Sequence, residues 1–288
     1  MTRRRDENAM KPVAAAGAIR LGDLTVNRLG LGTMRVCGPQ VWGEPRDRDI
    51  AIALLRRAYD LGHTFFDTAD SYGPHVSELL IAEALYPYPK DLVIATKGGL
   101  LRPQPERWDE CGTPKHLRAA VEGSLKRLRV ERIDLYQLHA PDPNVPLAES
   151  MEALVALQRA GKIGHIGVSN VDAKELAEAR GIATIVSVQN QYALGNRSDE
   201  DILLACEAAS IAFIPWYPLG AGKALKAQNV RKVAARLGVA PSQVVLAWLL
   251  AHSPVMLPIP GTGSIEHLEE NAAAAHVRLL EEDLADLA

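Results

Sequence analysis

The chain has 288 residues, 48% hydrophobic and 23% charged, with a formal net charge of −3. That length can bury a sizeable core, and a near-balanced charge without a basic stripe argues against nucleic acid or an anionic membrane as partner. The three cysteines, Cys37, Cys111 and Cys206, are scattered; they suit a reducing cytoplasm and offer neither a disulfide framework nor a zinc motif.

Residues 1–16 open with a basic run followed by acidic residues, where a signal peptide would need an apolar stretch. They read as a flexible tail, with Met10 as an alternative start, ahead of a single domain over 17–288. No stretch reaches membrane-span length without charges. A cytoplasmic protein is expected, a monomer or weak homo-oligomer, with neither membrane nor nucleic acid as partner.

Residues 18–21 and 24–26, joined by Gly22-Asp23, predict a β-hairpin. Strands are expected at 28–32, 64–67, 92–97, 133–139, 163–168, 185–189, 212–217 and 256–259. Between them run amphipathic helices. Over 48–61, Ile50, Leu54, Ala58 and Leu61 share one face, which ends at Gly62. Thr113-Pro114 supplies an N-cap and a first-turn proline for a helix carrying Leu117, Val121, Leu125 and Leu128. Further helices fit 147–160, 173–180, 199–209, 229–237 and 241–251, with a last pair near 265–272 and 281–287.

Eight strand–helix units without a linker predict an α/β fold, a (β/α)8 TIM barrel with an N-terminal β-hairpin. The rival is a doubly wound open sheet, which normally carries Gly-x-Gly-x-x-Gly after its first strand. Here Gly30-Leu31-Gly32-Thr33-Met34-Arg35 lacks the third glycine.

Polar residues cluster where these strands end. Asp67 closes the second strand, Tyr72 lies in the loop behind it, Lys97 ends the third strand and His139 the fourth. Strand C-termini of a barrel converge on one rim, so an acid, a phenol, an amine and an imidazole are delivered to one place. An ammonium beside a phenol lowers the phenol's pKa, and a carboxylate holds the ammonium in position; the imidazole orients a carbonyl oxygen or shares the proton transfer. Taken singly, each has an ordinary reading: a turn-capping Asp, a Tyr-Gly turn, a core histidine. A buried strand-end lysine is harder to explain without a task, and four such residues at successive strand ends point to proton-transfer chemistry.

This set resembles the catalytic tetrad of the aldo-keto reductases without substitution, and the likeness runs from the hairpin to Asn271. The resemblance implies hydride transfer from a nicotinamide C4 to the carbonyl carbon of an aldehyde or ketone. Tyr72 would be the general acid, Asp67 and Lys97 would tune it, and His139 would place the oxygen. It further implies a cofactor site. Thr33 and Met34 would follow the first strand, and Ser169, Asn170 and Gln189 would clamp the carboxamide. Trp216 would stack on the nicotinamide ring, beside Tyr217, Pro218, Leu219 and Gly220.

The segment Pro260-Gly261-Thr262-Gly263-Ser264, with His267, Glu270 and Asn271, resembles the family's adenosine-phosphate site at a helix N-terminus. Gly261 and His267 stand where a lysine and an arginine usually grip the 2′-phosphate, and Lys223 is a candidate replacement. NADPH/NADP+ is therefore the expected cofactor, with weaker discrimination than usual, and NADH remains open.

Short loops predict an open pocket closed by Trp42, Leu100, Leu101, Trp108 and Tyr217. The Trp-Tyr-Pro-Leu and Pro-Gly-Thr segments, His267 and the 38–43 loop resemble a bacterial subgroup that includes pyridoxal reductases and pyridoxine 4-dehydrogenases. A small carbonyl compound, with pyridoxal and pyridoxine as specific candidates, is the expected substrate. Two other functions stay open: a Schiff-base barrel aldolase using Lys97, and a non-catalytic NADP(H)-binding redox sensor or regulatory subunit.

Overall fold

The computed structural model describes residues 11–287. Seven parallel strands follow one another around a curled sheet in chain order. They are β3 (Leu31–Gly32), β4 (Phe65–Asp67), β5 (Val93–Gly98), β8 (Ile133–Leu138), β9 (Ile163–Ser169), β10 (Ile185–Gln189) and β11 (Ala212–Phe213). The expected eighth strand, at 256–259, closes the ring by single bonds rather than a ladder. Phe213 N–H donates to Val255 O (2.8 Å), Leu257 N–H to Phe213 O (2.8 Å), and Gly30 N–H to Pro258 O (2.9 Å). Pro258 and Pro260 have no N–H to offer, so a regular ladder cannot form there. The expected first strand at 28–32 shortens to Leu31–Gly32 beside this seam; the seventh, at 212–217, shortens to Ala212–Phe213 and contains Pro215, although Ile214 N–H and Trp216 N–H still donate to Val188 O and Asn190 O.

The seam depends on glycine. A Cβ on Gly32 would sit 2.6 Å from Ile259 O, and one on Gly261 would sit 2.7 Å from Gly32 O. Only side-chain-free residues let these two backbones approach so closely.

The hairpin forms as expected, β1 (Ala18–Leu21) pairing with β2 (Leu24–Asn27). Its Leu21 and Val26 pack with Phe65, Val93, Leu135, Ile214 and Leu257 inside the barrel. It therefore plugs one end of the ring and leaves the strand C-termini at the other. The tail reading is corrected for its last residues. Pro12–Ala16 form a helical turn, Val13 is fully buried, and Val13 N–H donates to Leu61 O; an apolar side chain with a matching socket does not stay in solvent. Residues 1–10 lie outside the described residues.

The outer layer comprises α1 (Arg48–Asp60), α2 (Val76–Leu85), α3 (Pro114–Leu128), α4 (Leu147–Arg159), α5 (Ala173–Ile182), α6 (Glu200–Ala209), α7 (Gln228–Leu237), α8 (Pro241–His252), α9 (Ile265–Ala273) and α10 (Glu281–Leu287). Thr113 caps α3 as expected, accepting from His116 N–H. In α1 the buried face is Ala51, Ile52, Leu54, Leu55 and Ala58, while Ile50 is exposed. No single helix among the described residues is long and apolar enough to cross a membrane.

Two elements went unforeseen. Helix α2 buries Ser77 and Glu78 along with Val76, Leu80 and Ile81, while Leu79 is exposed, so its polar residues face inward and cancel the usual amphipathic signal. An antiparallel hairpin, β6 (Leu100–Gln104) with β7 (Arg107–Glu110), rises from the end of β5.

Candidate active site

Asp67, Lys97 and His139 stand at or just past the C-termini of β4, β5 and β8, as the alternating pattern required. The turn behind β4 is held to its neighbour: Thr68 N–H donates to Ala95 O and Asp70 N–H to Lys97 O. This folds Tyr72 back over the rim. The four residues meet.

The ammonium of Lys97, fully buried, donates to Asp67 Oδ1 (2.7 Å), Thr68 O (2.9 Å) and Tyr72 Oη (3.4 Å). The other oxygen of Asp67 accepts from Gln189 Nε2 (2.8 Å) and Gln137 Nε2 (3.3 Å). The carboxylate is thus satisfied on both oxygens, which a buried charge requires. Gln137 follows Asp134 in β8, and nothing in the pattern of that strand marks its amide out as part of the site. His139 lies edge-on to the phenol at 5.9 Å, its Nδ1 3.4 Å from Ser71 Oγ.

Electrostatics correct one expectation. The phenol of Tyr72 is pushed well above its usual pKa, chiefly by burial and then by the negative charge of Asp67. Lysine's attraction does not outweigh these effects, so the group stands as a neutral hydrogen-bond donor. Burial pushes Lys97 down while Asp67 resists, and burial with the Lys97 charge holds His139 well below the usual imidazole range. His139 is therefore neutral.

A cavity of about 400 Å³ opens on this group. Asp67, Tyr72 and His139 line it, with Lys97 directly behind. Ser169, Asn170, Gln189 and Trp216 form a second wall. Their positions are fixed from behind: Ser169 Oγ donates to Gln189 O (2.6 Å), Asn170 Nδ2 to His139 O (2.9 Å), and Trp216 Nε1 to Asn170 Oδ1 (2.9 Å). Trp216 and Asn170 therefore act as one unit, which their separation in sequence concealed.

Met34, Tyr217, Pro218, Leu219, Pro260 and Gly261 also reach the cavity. Gly220 does not, although its neighbours Ala221 and Gly222 do. Thr33 is buried behind the site, its hydroxyl donating to Asp67 O and paired with Ser77. Arg35, not singled out before, lines the cavity beside Gly261.

Beyond Gly261 the cavity gives way to the start of α9. Ser264 caps that helix by accepting from His267 N–H, and Thr262 Oγ1 accepts from Ser264 N–H. His267 and Lys223 are exposed and outside the cavity lining, Glu270 accepts from Ser242, and Asn271 is buried.

Of the expected pocket residues, Leu100 and Trp108 line the cavity. Leu101 is 41% exposed because successive strand residues face opposite ways. Trp42 bridges to Gly73 and lies 5.7 Å from the Arg102 guanidinium, outside the cavity.

The Aldo/keto reductase family model matches residues 28–288. The chain belongs to that family. It is similar to an uncharacterised oxidoreductase of Schizosaccharomyces pombe, with 49% identity across 94% of this chain and 89% of that one. It is also similar to pyridoxine 4-dehydrogenase of Escherichia coli, with 44% identity across 95% and 98%. Among solved structures, an aldo/keto reductase from Klebsiella pneumoniae in complex with NADP and acetate superposes with a TM-score of 0.80. It is 30% identical, and 94% and 93% of the two chains are covered. The protein is an NAD(P)H-dependent oxidoreductase with the barrel fold of its family.

The cavity residues fit the cofactor this implies. An exposed-edge indole, an amide pair and a hydroxyl surround its inner end, and the side-chain-free backbone of Gly32 and Gly261 floors its passage toward α9.

Proposed function

We propose that the protein reduces the carbonyl group of a small aldehyde or ketone to the alcohol with NADPH, with Tyr72 as the proton donor. Pyridoxal, or pyridoxine in the reverse direction, heads the candidate substrates, supported by the 44% identity to the E. coli pyridoxine 4-dehydrogenase. The observation that carries the reading is the chain Tyr72–Lys97–Asp67, delivered to the wall of a largely apolar cavity.

The residues divide the work as follows. Tyr72, a neutral phenol, donates to the substrate oxygen and passes its proton as negative charge develops there. The Lys97 ammonium, 3.4 Å away, stabilises the phenolate left behind, and Asp67 keeps that ammonium charged and fixed. Neutral His139 offers a ring N–H to the same oxygen from an edge-on position. Ser169, Asn170, Gln189 and Trp216 would hold the carboxamide end of the nicotinamide, with the Trp216 indole against its ring. When bound, the dinucleotide supplies the hydride. Apolar walls at Trp108, Leu100 and Leu219 exclude water.

Lys97 argues against the aldolase alternative. All three of its N–H groups are spent on neighbours and none of it is exposed, which leaves no lone pair for a Schiff base.

The test is turnover of NADPH with pyridoxal and with simple aldehydes, beside Tyr72→Phe. The variant should lose at least about a hundredfold in kcat while NADPH quenches tryptophan fluorescence as before. Most of kcat surviving would refute the proton-donor assignment. Tight NADPH binding without any turnover would support the sensor reading instead.

A further inference from the structure

Arg102 in β6 has no task in the chemistry above, yet it is only 7% exposed. No carboxylate pairs with it among the described residues; burial is the main influence on its charge. Its guanidinium instead donates to three backbone carbonyls, those of Gln40 (3.0 Å), Val41 (3.3 Å) and Pro105. Its Nε is buried without a partner. The guanidinium sits 3.7 Å from the ring centroid of Trp108 and 5.7 Å from that of Trp42. Sequestering a cation without a counter-charge is unfavourable, so the compensation lies in the carbonyls and the two indole faces.

Trp108 is the part worth holding. It lines both the catalytic cavity and a neighbouring one of about 460 Å³, so its indole is a partition between them. It also stands edge-on to Tyr72 (6.4 Å, 82°) and to His139 (6.3 Å, 71°). The strand ladder does not fix it, because the β6–β7 pairing slips register between Leu101 and Gln104, where Arg102 sits. Opposite, Gln40 and Val41 both adopt φ of 58°, a conformation that is uncommon for a non-glycine residue and an outlier for a β-branched one. The guanidinium ties the carbonyls of that strained turn to the hairpin.

We propose that Arg102 is a positioning residue that clamps Trp108 as the wall of the substrate site, so that the enzyme selects carbonyl compounds bearing a flat aromatic ring over flexible aliphatic ones. This rests on the carbonyl-reductase reading above. A planar ring packs on a fixed indole with little conformational loss, whereas an alkyl chain surrenders its rotamers there. Lysine cannot replace the arginine, because a point charge neither stacks flat nor reaches three carbonyls at once.

The experiment compares benzaldehyde with hexanal, using NADPH, in the wild type and in Arg102→Lys and Arg102→Met. The wild type should favour benzaldehyde. Both variants should lower the benzaldehyde-to-hexanal ratio of kcat/KM by about tenfold, chiefly through the benzaldehyde KM, as expected for losing a desolvated cation–π clamp. Calorimetric NADPH affinity should stay put. An unchanged ratio, or its rescue by lysine, overturns the proposal. Should both variants fail to fold, Trp108→Leu with Arg102 intact must show the same fall in ratio, and a retained ratio overturns it. Absence of turnover in the wild type would refute the reductase reading instead. The clamp is then read from acrylamide quenching of the Trp108 emission, taken as the difference from Trp108→Phe. Arg102→Lys should raise that quenching, and no rise overturns the clamp.

Discussion

Replacing Asp67 by asparagine should separate what the buried ion pair does for stability from what it does for turnover. Both side chains are removed from solvent, at 2% and 0% exposure. The asparagine amide cannot satisfy its surroundings: whichever way it turns, an NH2 group faces either the Lys97 ammonium or the donors of Gln189 and Gln137. Leaving a buried charge uncompensated costs about 3–5 kcal/mol. The lysine can escape by losing its proton, which at neutral pH costs about 3.4 pKa units, or roughly 4.6 kcal/mol, and sets the ceiling. The sign of the pH dependence follows. Burial already lowers the folded-state pKa of Lys97, and loss of the Asp67 charge lowers it further, so the variant gains more stability than the parent as pH rises and the deficit shrinks. Urea unfolding followed by circular dichroism should show Asp67→Asn losing about 3 kcal/mol or more, up to the ceiling of roughly 4.6 kcal/mol, at neutral pH and less under alkaline conditions. Lys97→Met alone should also destabilise. The double variant Asp67→Asn/Lys97→Met should recover at least about 2 kcal/mol relative to the sum of the singles, yet regain no turnover, because nothing then stabilises the Tyr72 phenolate. Additivity of the two singles within about 0.5 kcal/mol would refute the coupling inferred from the 2.7 Å contact.

The 2′-phosphate end allows a cleaner test of cofactor choice. Gly261→Lys should fail to strengthen NADPH over NADH and should lower the melting temperature, because its Cβ would meet Gly32 O at 2.7 Å. By contrast His267→Arg, on an exposed first turn, should tighten NADPH by about tenfold and leave NADH unchanged, read by fluorescence titration; no change would place the phosphate elsewhere. Asp70 supplies a stability prediction. Its carboxyl is raised to about 8, first by burial and then by the neighbouring charge of Glu78. The folded state then holds a proton the unfolded chain has released, so stability falls with rising pH up to that value. Between pH of about 6.5 and 8 the loss should be roughly 1.6 kcal/mol, the slope of about 1.4 kcal/mol per unit halving at the folded pKa, and Asp70→Asn should abolish it. The buried imidazole of His63, lowered to about 4, titrates below that window with the opposite sign, so the two effects separate.

What was legible in the chain follows the reach of each physical rule. Strand-end placement is a property of period and order, so Asp67, Lys97 and His139 could be assigned to one rim from alternating runs alone. Helix α2 escaped because its polar residues, Ser77 and Glu78, point inward to Thr33, Thr68, Thr96 and Arg127; a rule that places polar groups outside is blind to a helix used as a polar backing. Leu101 was misplaced by one residue of strand alternation, and Trp42 because adjacency to the site in sequence is not adjacency in space.

The direction of the Tyr72 shift shows a different limit. Residue types gave the ammonium and the phenol, and the 3.4 Å contact is present. Whether attraction or burial prevails depends on how much water remains, which no local pattern reports. The outcome has a mechanistic consequence. With the phenol held neutral, the protein is set to donate a proton throughout the neutral range, which favours carbonyl reduction. Alcohol oxidation needs the phenolate as base, so its rate should climb with pH well past the point where reduction has begun to fail. Parallel pH–rate profiles for the two directions, each with saturating cofactor, decide this. Profiles that rise and fall together would mean that some other group, and not Tyr72, carries the proton.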